Sequence, residues 1–204
     1  MEFVVSYIAR GDFMPLPQAD RKYTYADYLT WPENERWEII DGLPLMQAAP
    51  SWQHQALSAA LLSQFHTYLL GKECQVFAAP FDLRLPEGNE KDEETTFVVQ
   101  PDILIVCDRK GLKGTGYFGI PSLIIEISSP STAKNDKIMK FNKYEKSGVK
   151  EYWIVEPEGR IISVFTLQDN NRYGRPESYT ETDKIKVNVF PELTIDLAPL
   201  FGAI

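Results

Sequence analysis

The stretch SLIIEISSPSTAKNDKIMKFNKYEKSG, residues 122–148, constrains the fold more than any other part of the chain. Leu123, Ile124, Ile125 and Ile127 form a short apolar run that reads as a buried strand. KEYWIVEP, residues 150–157, reads as a second strand bounded by Pro157. Between them, AKNDKIMKFNKYEKSG reads as a helix ended by Gly148. A helix joining two strands serves as a crossover and sets them parallel. Glu126 interrupts the apolar run, and a carboxylate is almost never fully buried without a partner. The sequence therefore has to supply Glu126 with one.

The remaining segments build a sheet around this unit. TYADYLTWP predicts a short helix stopped before Pro32, and RWEIIDGLPLM a β-hairpin turned at Asp41-Gly42. SWQHQALSAALLSQFHTYLLG predicts the clearest helix, capped by Ser51 and ended by Gly71. Leu57, Leu61, Phe65 and Tyr68 form its apolar stripe, and His54 falls on the same stripe near the helix start. CQVFAAPFDLRL reads as a strand interrupted at Pro80, VVQPDILIVCD as another strand, and DRKGLKGTGYFGIP as a glycine-rich loop. RIISVFTL is the hairpin partner of KEYWIVEP, and the tail holds two or three short strands. The expected fold class is α/β, a mixed sheet flanked by helices with β-rich extensions at both ends. Residues 1–22 read as an irregular extension and 23–204 as a single domain, long enough to bury a core without staples.

Charge and motifs narrow the function. The net charge of −8 does not announce a nucleic-acid binder, although six lysines between Lys134 and Lys150 could form a local basic face. No apolar run is long enough to cross a membrane, and MEFVVSYIARGDF lacks the basic start of a signal peptide. Cys74 and Cys107 have no metal-type spacing and are expected as free thiols in a reducing cytoplasm. GLKGTGYFG has no G-K-[ST] and precedes a strand, which excludes a P-loop. The sequence also lacks the G-x-S-x-G elbow and the H-E-x-x-H and C-x-x-C zinc patterns.

Acid placement is more informative. Asp102 follows Pro101 at the start of the ILIVC strand. If that strand neighbours the one carrying Glu126, two carboxylates meet and oppose each other's ionisation unless a cation intervenes. Magnesium, held by one or two carboxylates and several waters, would serve there and suits phosphate-ester hydrolysis. Lys134, Lys137, Lys140, Lys143 and Lys146 recur every third residue and so rotate around the following helix. With Ile138, Phe141 and Tyr144 marking the apolar side, Lys140 lies at its edge and leans toward the sheet, as a lysine whose loss would leave the fold intact.

Together QPDILIVCD, GIPSLIIEISSPSTAKNDKIMKFNKYEKSGVKEYWIVEP, ERWEIIDGLPLMQAAPSWQHQ and FPELTIDLAPLF resemble the Uma-two family of the PD-(D/E)XK phosphodiesterase superfamily, across residues 22–201. The resemblance implies a restriction-endonuclease-like core and metal-dependent hydrolysis of DNA. Pro101-Asp102 matches the PD element and Glu126 the following acid, with the Ile127 carbonyl as a further ligand for magnesium or manganese. Ser128 stands where the superfamily has lysine, and the resemblance assigns that role to Lys140 within an Asp136–Lys140–Tyr144 pattern. It also implies Glu38, from the hairpin, as a third acid, and His54 as a site residue of less defined role. The alternative is an inactive nuclease-fold protein that binds nucleic acid or a protein. Cleaving both strands of a duplex needs two sites, so a homodimer is expected, its DNA guided by the lysine-rich helix.

Overall fold

The computed structural model describes residues 21–204 except Glu33 and Ser131. The extension expected at residues 1–22 thus lies almost entirely outside the described residues. In chain order the elements are α1 (Tyr25–Tyr28), β1 (Trp37–Ile40), β2 (Leu43–Met46), α2 (Trp52–Leu69), β3 (Gln75–Ala78), β4 (Asp82–Arg84), β5 (Val98–Val99) and β6 (Ile103–Val106). They continue with β7 (Leu112–Lys113), β8 (Gly116–Phe118), β9 (Leu123–Ile127), a π-helical segment (Asn135–Lys140), α3 (Phe141–Ser147) and β10 (Glu151–Glu156). The chain closes through β11 (Ile161–Thr166), β12 (Glu177–Thr180), β13 (Lys184–Lys186), β14 (Thr194–Asp196) and α4 (Ala198–Phe201).

One sheet runs β2-β1-β5-β4-β8-β7 and a second β12-β11-β10-β9-β6-β3, with β13 and β14 forming a separate hairpin. The π–α3 crossover sets β9 parallel to β10, with Glu126 beside Ile154. Two prolines divide segments that read as single strands. Proline has no N–H for a ladder. At Pro80 the chain passes from β3 in the second sheet to β4 in the first, and at Pro101 from β5 in the first to β6 in the second. The glycine-rich loop contains the short β7–β8 hairpin, and β8 lies so close to β4 that a Cβ at Gly116 would clash with Asp82 and Arg84.

Alternation along the central strands creates two cores. Ile103, Ile105, Leu123, Ile125 and Ile127 pack with Leu57, Leu61, Phe65 and Leu69 of α2 and with the C-terminal tail. Leu104, Val106 and Ile124 pack on the other side with Ile40, Leu83, Phe97 and Tyr144. Leu69 is buried at the end of the α2 stripe, where Tyr68 was expected and is only half-buried. Ile138, expected on the buried side of its helix, is exposed. It lies in the π-helical segment, whose wider turn displaces residues from a 3.6-residue wheel.

The cysteines overturn the free-thiol expectation: Cys74 and Cys107 form a disulfide. The β3–β6 register opposes Gln75 to Val106, so continuing it by one residue places the two cysteines face to face. Their separation of 33 in sequence conceals this, because only the strand pairing brings them together.

Candidate active site

The same sheet register assembles the acids. Ile103 opposes Ile125 across the antiparallel β6–β9 pair, which places Asp102 opposite Glu126 and Pro101 opposite Ile127. Glu126 lies on the sheet face that carries Leu104 and Ile124, because side chains alternate along a strand, while Asp102, one residue before β6, turns its carboxylate to the edge of the sheet where both acids line one cleft. The Ile127 N–H donates to Asp102 Oδ2 at 2.7 Å. Pro101 has no N–H to offer the Ile127 carbonyl, so that oxygen lacks a donor from the opposing strand.

The partner required by Glu126 is Lys140. Its Nζ lies 3.1 Å from Glu126 Oε1, 3.0 Å from Glu38 Oε1 and 3.8 Å from Asp136 Oδ1. Tyr144 donates its hydroxyl to Glu126 Oε1 at 2.8 Å. Glu126 is 3% exposed and Lys140 5%, so Lys140 is a buried counter-ion and not the exposed-edge lysine expected. Burial pushes the Glu126 carboxyl well above the usual range; Lys140 opposes this, while Asp136, Asp102 and Glu38 reinforce it. Burial alone would depress the Lys140 ammonium, but Glu126, Glu38 and Asp136 outweigh it and raise it. Burial likewise raises the carboxyl of Asp136, against the pull of Lys140.

Glu38 is reached from β1. Its Oε1 also accepts the Gln100 backbone N–H at 2.9 Å, and its Oε2 accepts Gln47 Nε2 at 3.2 Å. Gln100 is therefore a site residue that sequence reasoning missed. Its side chain reaches Asp82 at 3.0 Å and the Tyr28 hydroxyl at 3.2 Å, while Arg36 Nε donates to its Oε1 at 3.1 Å. Its position directly before Pro101-Asp102 is the one signal that could have drawn notice.

His54 enters from α2, whose cap Ser51 accepts the His54 backbone N–H at 3.2 Å. Its Nε2 lies 3.1 Å from Asp102 Oδ1. Asp102, Glu126 and His54 line a cleft of about 980 Å³, as do Glu38, Ser128 and Lys140. The Ser128 hydroxyl is buried there without a hydrogen-bond partner among the described residues.

No group of three or more His, Cys, Asp or Glu side chains among the described residues is placed to hold a metal ion. The oxygen donors facing the cleft are the Asp102 and Glu126 carboxylates with the Ile127 carbonyl, and every acid here already has partners in the fold: His54 and the Ile127 N–H on Asp102, Lys140 and Tyr144 on Glu126, and Lys140, Gln47 and Gln100 on Glu38. An all-oxygen donor set that leaves most positions to water fits a hard cation such as magnesium. The expected basic helix face is largely neutralised: Lys137 pairs with Glu156 at 2.6 Å, Lys143 with Glu87 at 3.4 Å, and Lys146 also with Glu87.

Mixed sheets flanked by a few helices, with paired acids and a lysine at the strand ends, define a restriction-endonuclease-like nuclease fold. The chain belongs to the Uma2 family, described as "Putative restriction endonuclease", whose model matches residues 25–198. A crystal structure from Anabaena variabilis, described as a "putative nuclease belonging to DUF820", superposes with a TM-score of 0.72 at 18% identity, covering 88% of this chain and 98% of that one. An uncharacterized protein from Synechocystis, slr1290, is 27% identical over 166 residues, 80% of this chain and 82% of the relative.

Proposed function

We propose that this chain is a metal-dependent endonuclease hydrolysing phosphodiester bonds in DNA. The observation that carries this reading is the buried ammonium of Lys140, 3.1 Å from Glu126 Oε1, on an acid whose partner strand carries Asp102. The inactive alternative draws on the missing lysine at Ser128 and on the net charge of −8; Lys140 supplies an ammonium from the helix and bears on the first of these.

Asp102, Glu126 and the Ile127 carbonyl would hold magnesium or manganese. A divalent cation bound there would polarise a phosphoryl oxygen and lower the pKa of the attacking water. Lys140 stabilises negative charge developing on the phosphate and orients the water. Glu38 and Asp136 keep that lysine charged and fixed. His54 holds Asp102 Oδ1 from the cleft lining and so positions that carboxylate. The Ile127 N–H fixes Asp102 Oδ2, so both oxygens of that carboxylate have set directions.

The reading places the protein in the cytoplasm with its nucleic acid. Among the described residues no helix is long and apolar enough to cross a membrane. The Cys74–Cys107 disulfide argues the other way, since such bonds are rare in a reducing compartment. A homodimer belongs to the same reading, with the open edge of β12 available for pairing; light scattering that reports a monomer at micromolar concentration would remove it.

A panel of single-stranded and duplex DNA incubated with magnesium or manganese tests the activity. Cleavage is expected with either metal, and loss of it with EDTA or in folded Asp102→Ala. Folded wild-type protein that binds DNA but leaves every substrate intact with both metals would instead favour the inactive alternative.

A further inference from the structure

Seven large hydrophobic side chains are exposed among the described residues, and two of them, Trp52 and Met46, line the cleft that holds the acids. Scattered exposed hydrophobics need no explanation, so the location of these two is what matters. Trp52 is 65% exposed at the first position of α2, two residues before His54. Met46 is 59% exposed at the end of β2. An exposed indole in the lining of that cleft presents a flat π surface to a strand entering it.

Charge sharpens the choice of occupant. A protein that grips duplex DNA does so chiefly through Lys and Arg on successive phosphates. Here Lys137, Lys140, Lys143 and Lys146 are all engaged by carboxylates, and Arg160 of the cleft wall pairs with Glu181. The chain as a whole carries −8. Arg36, turned to the neutral Gln100 side chain, is a single cation in the lining and not a track, so affinity has to come largely from other contacts. Base–aromatic stacking is one, and it tolerates any sequence because every base has a π face. Gln53, Gln55 and Asn135, also in the cleft lining, offer neutral amides to base edges. Bases within a closed duplex are already stacked on their neighbours and cannot use the indole.

We propose that Trp52 is a base-stacking platform and that the cleft accepts single-stranded polynucleotide, with one base on the indole while the adjoining phosphate reaches Asp102 and Glu126. This rests on the nuclease reading and specifies its substrate. Hydrolysis of one strand requires one site, so this substrate makes no demand on a second copy of the chain.

Trp52 is also the exposed one of four tryptophans: Trp153 is buried, and Trp31 and Trp37 are half-buried. Intrinsic fluorescence therefore reports on it. The full chain is titrated in EDTA with a thymidine 12-mer and with a blunt duplex of the same length, using wild type, Trp52→Ala and Trp52→Phe, each checked for folding by circular dichroism. The single strand is expected to quench wild-type emission and to bind more tightly than the duplex. Trp52→Ala should bind the single strand roughly tenfold to a hundredfold more weakly, and Trp52→Phe should recover much of the loss. Unchanged affinity in Trp52→Ala, or duplex bound as tightly as single strand, would overturn the proposal. If magnesium-dependent cleavage persists alongside either result, the nuclease reading survives the loss of this one. Wild type that neither binds nor cleaves any nucleic acid would overturn both.

Discussion

Replacing Lys140 by methionine keeps most of the side-chain volume and removes the charge. In the native protein the ammonium lies 3.0 Å from Glu38 Oε1 and 3.1 Å from Glu126 Oε1, with Asp136 Oδ1 at 3.8 Å. All four residues are at most 5% exposed, so bulk solvent screens the acids little once the charge is gone. Removing one partner of a buried ion pair costs about 3–5 kcal/mol. For a chain of this size each kcal/mol moves the midpoint by about 2–4 °C, so Lys140→Met should melt about 6–20 °C lower at neutral pH. The deficit should depend on pH in one direction. The Glu126 carboxyl is already raised by burial against the opposition of Lys140, and removing the lysine raises it further. A carboxyl whose folded pKa exceeds its unfolded value, about 4.3 for Glu, favours the fold below that unfolded value and loses the benefit as pH rises through the folded one. The variant's deficit should therefore be small near pH 4 and widen toward pH 8. Magnesium in excess should raise both midpoints, since a ligand at a hundred times its Kd adds about 2.7 kcal/mol, and should raise the variant's further because no ammonium competes with it for Glu126. Thermal denaturation of both proteins from pH 4 to pH 8, with and without magnesium, measures all three effects. Equal midpoints at pH 8 would refute the role of Lys140 as counter-ion to the acids.

Pro101→Ala supplies an N–H opposite the Ile127 carbonyl and should weaken manganese binding by roughly tenfold while leaving the melting midpoint unchanged; identical calorimetric affinity would show that this carbonyl is not a ligand. Wild-type protein denatured without reductant should resist alkylation at both cysteines and take up two labels after reduction. Cys74→Ser should cost about 2–4 kcal/mol in urea denaturation, the usual loss on opening a loop of this order; two reactive thiols before reduction would contradict the disulfide.

The local signals in the chain were legible where one residue type decides the backbone. Asp41 and Gly42 turn the first hairpin with φ of 52° and 83°, and Gly148 ends α3 at φ 90°. The crossover between β9 and β10 could be read because a strand–helix–strand sequence leaves one plausible pairing. Sheet membership could not. Pro80 and Pro101 each mark a break, but nothing local says that the halves on either side belong to different sheets. The disulfide was hidden for the same reason, since Cys74 and Cys107 meet only through the β3–β6 register. Gln100 was passed over because its contacts, to Glu38, Asp82, Tyr28 and Arg36, all come from other elements.

The placement of Lys140 shows what a spacing rule can and cannot establish. A lysine two residues after Glu126 would project from the same strand face, and Ser128 occupies that position with its hydroxyl buried in the cleft. The ammonium arrives instead from the crossover helix, where Asp136, Lys140 and Tyr144 are spaced by four and share a side. Lys140 and Tyr144 both reach Glu126 Oε1, one as cation and one as neutral donor. Charge stabilisation depends on where the ammonium lies relative to the acid, not on which element carries it. The helix route adds a constraint that a strand lysine would lack. Asp136, one turn away, and Glu38, from the other sheet, hold the ammonium from two further directions. The same contacts that fix its position make its loss costly to the fold, so at this site charge placement and stability are tested by the same substitution.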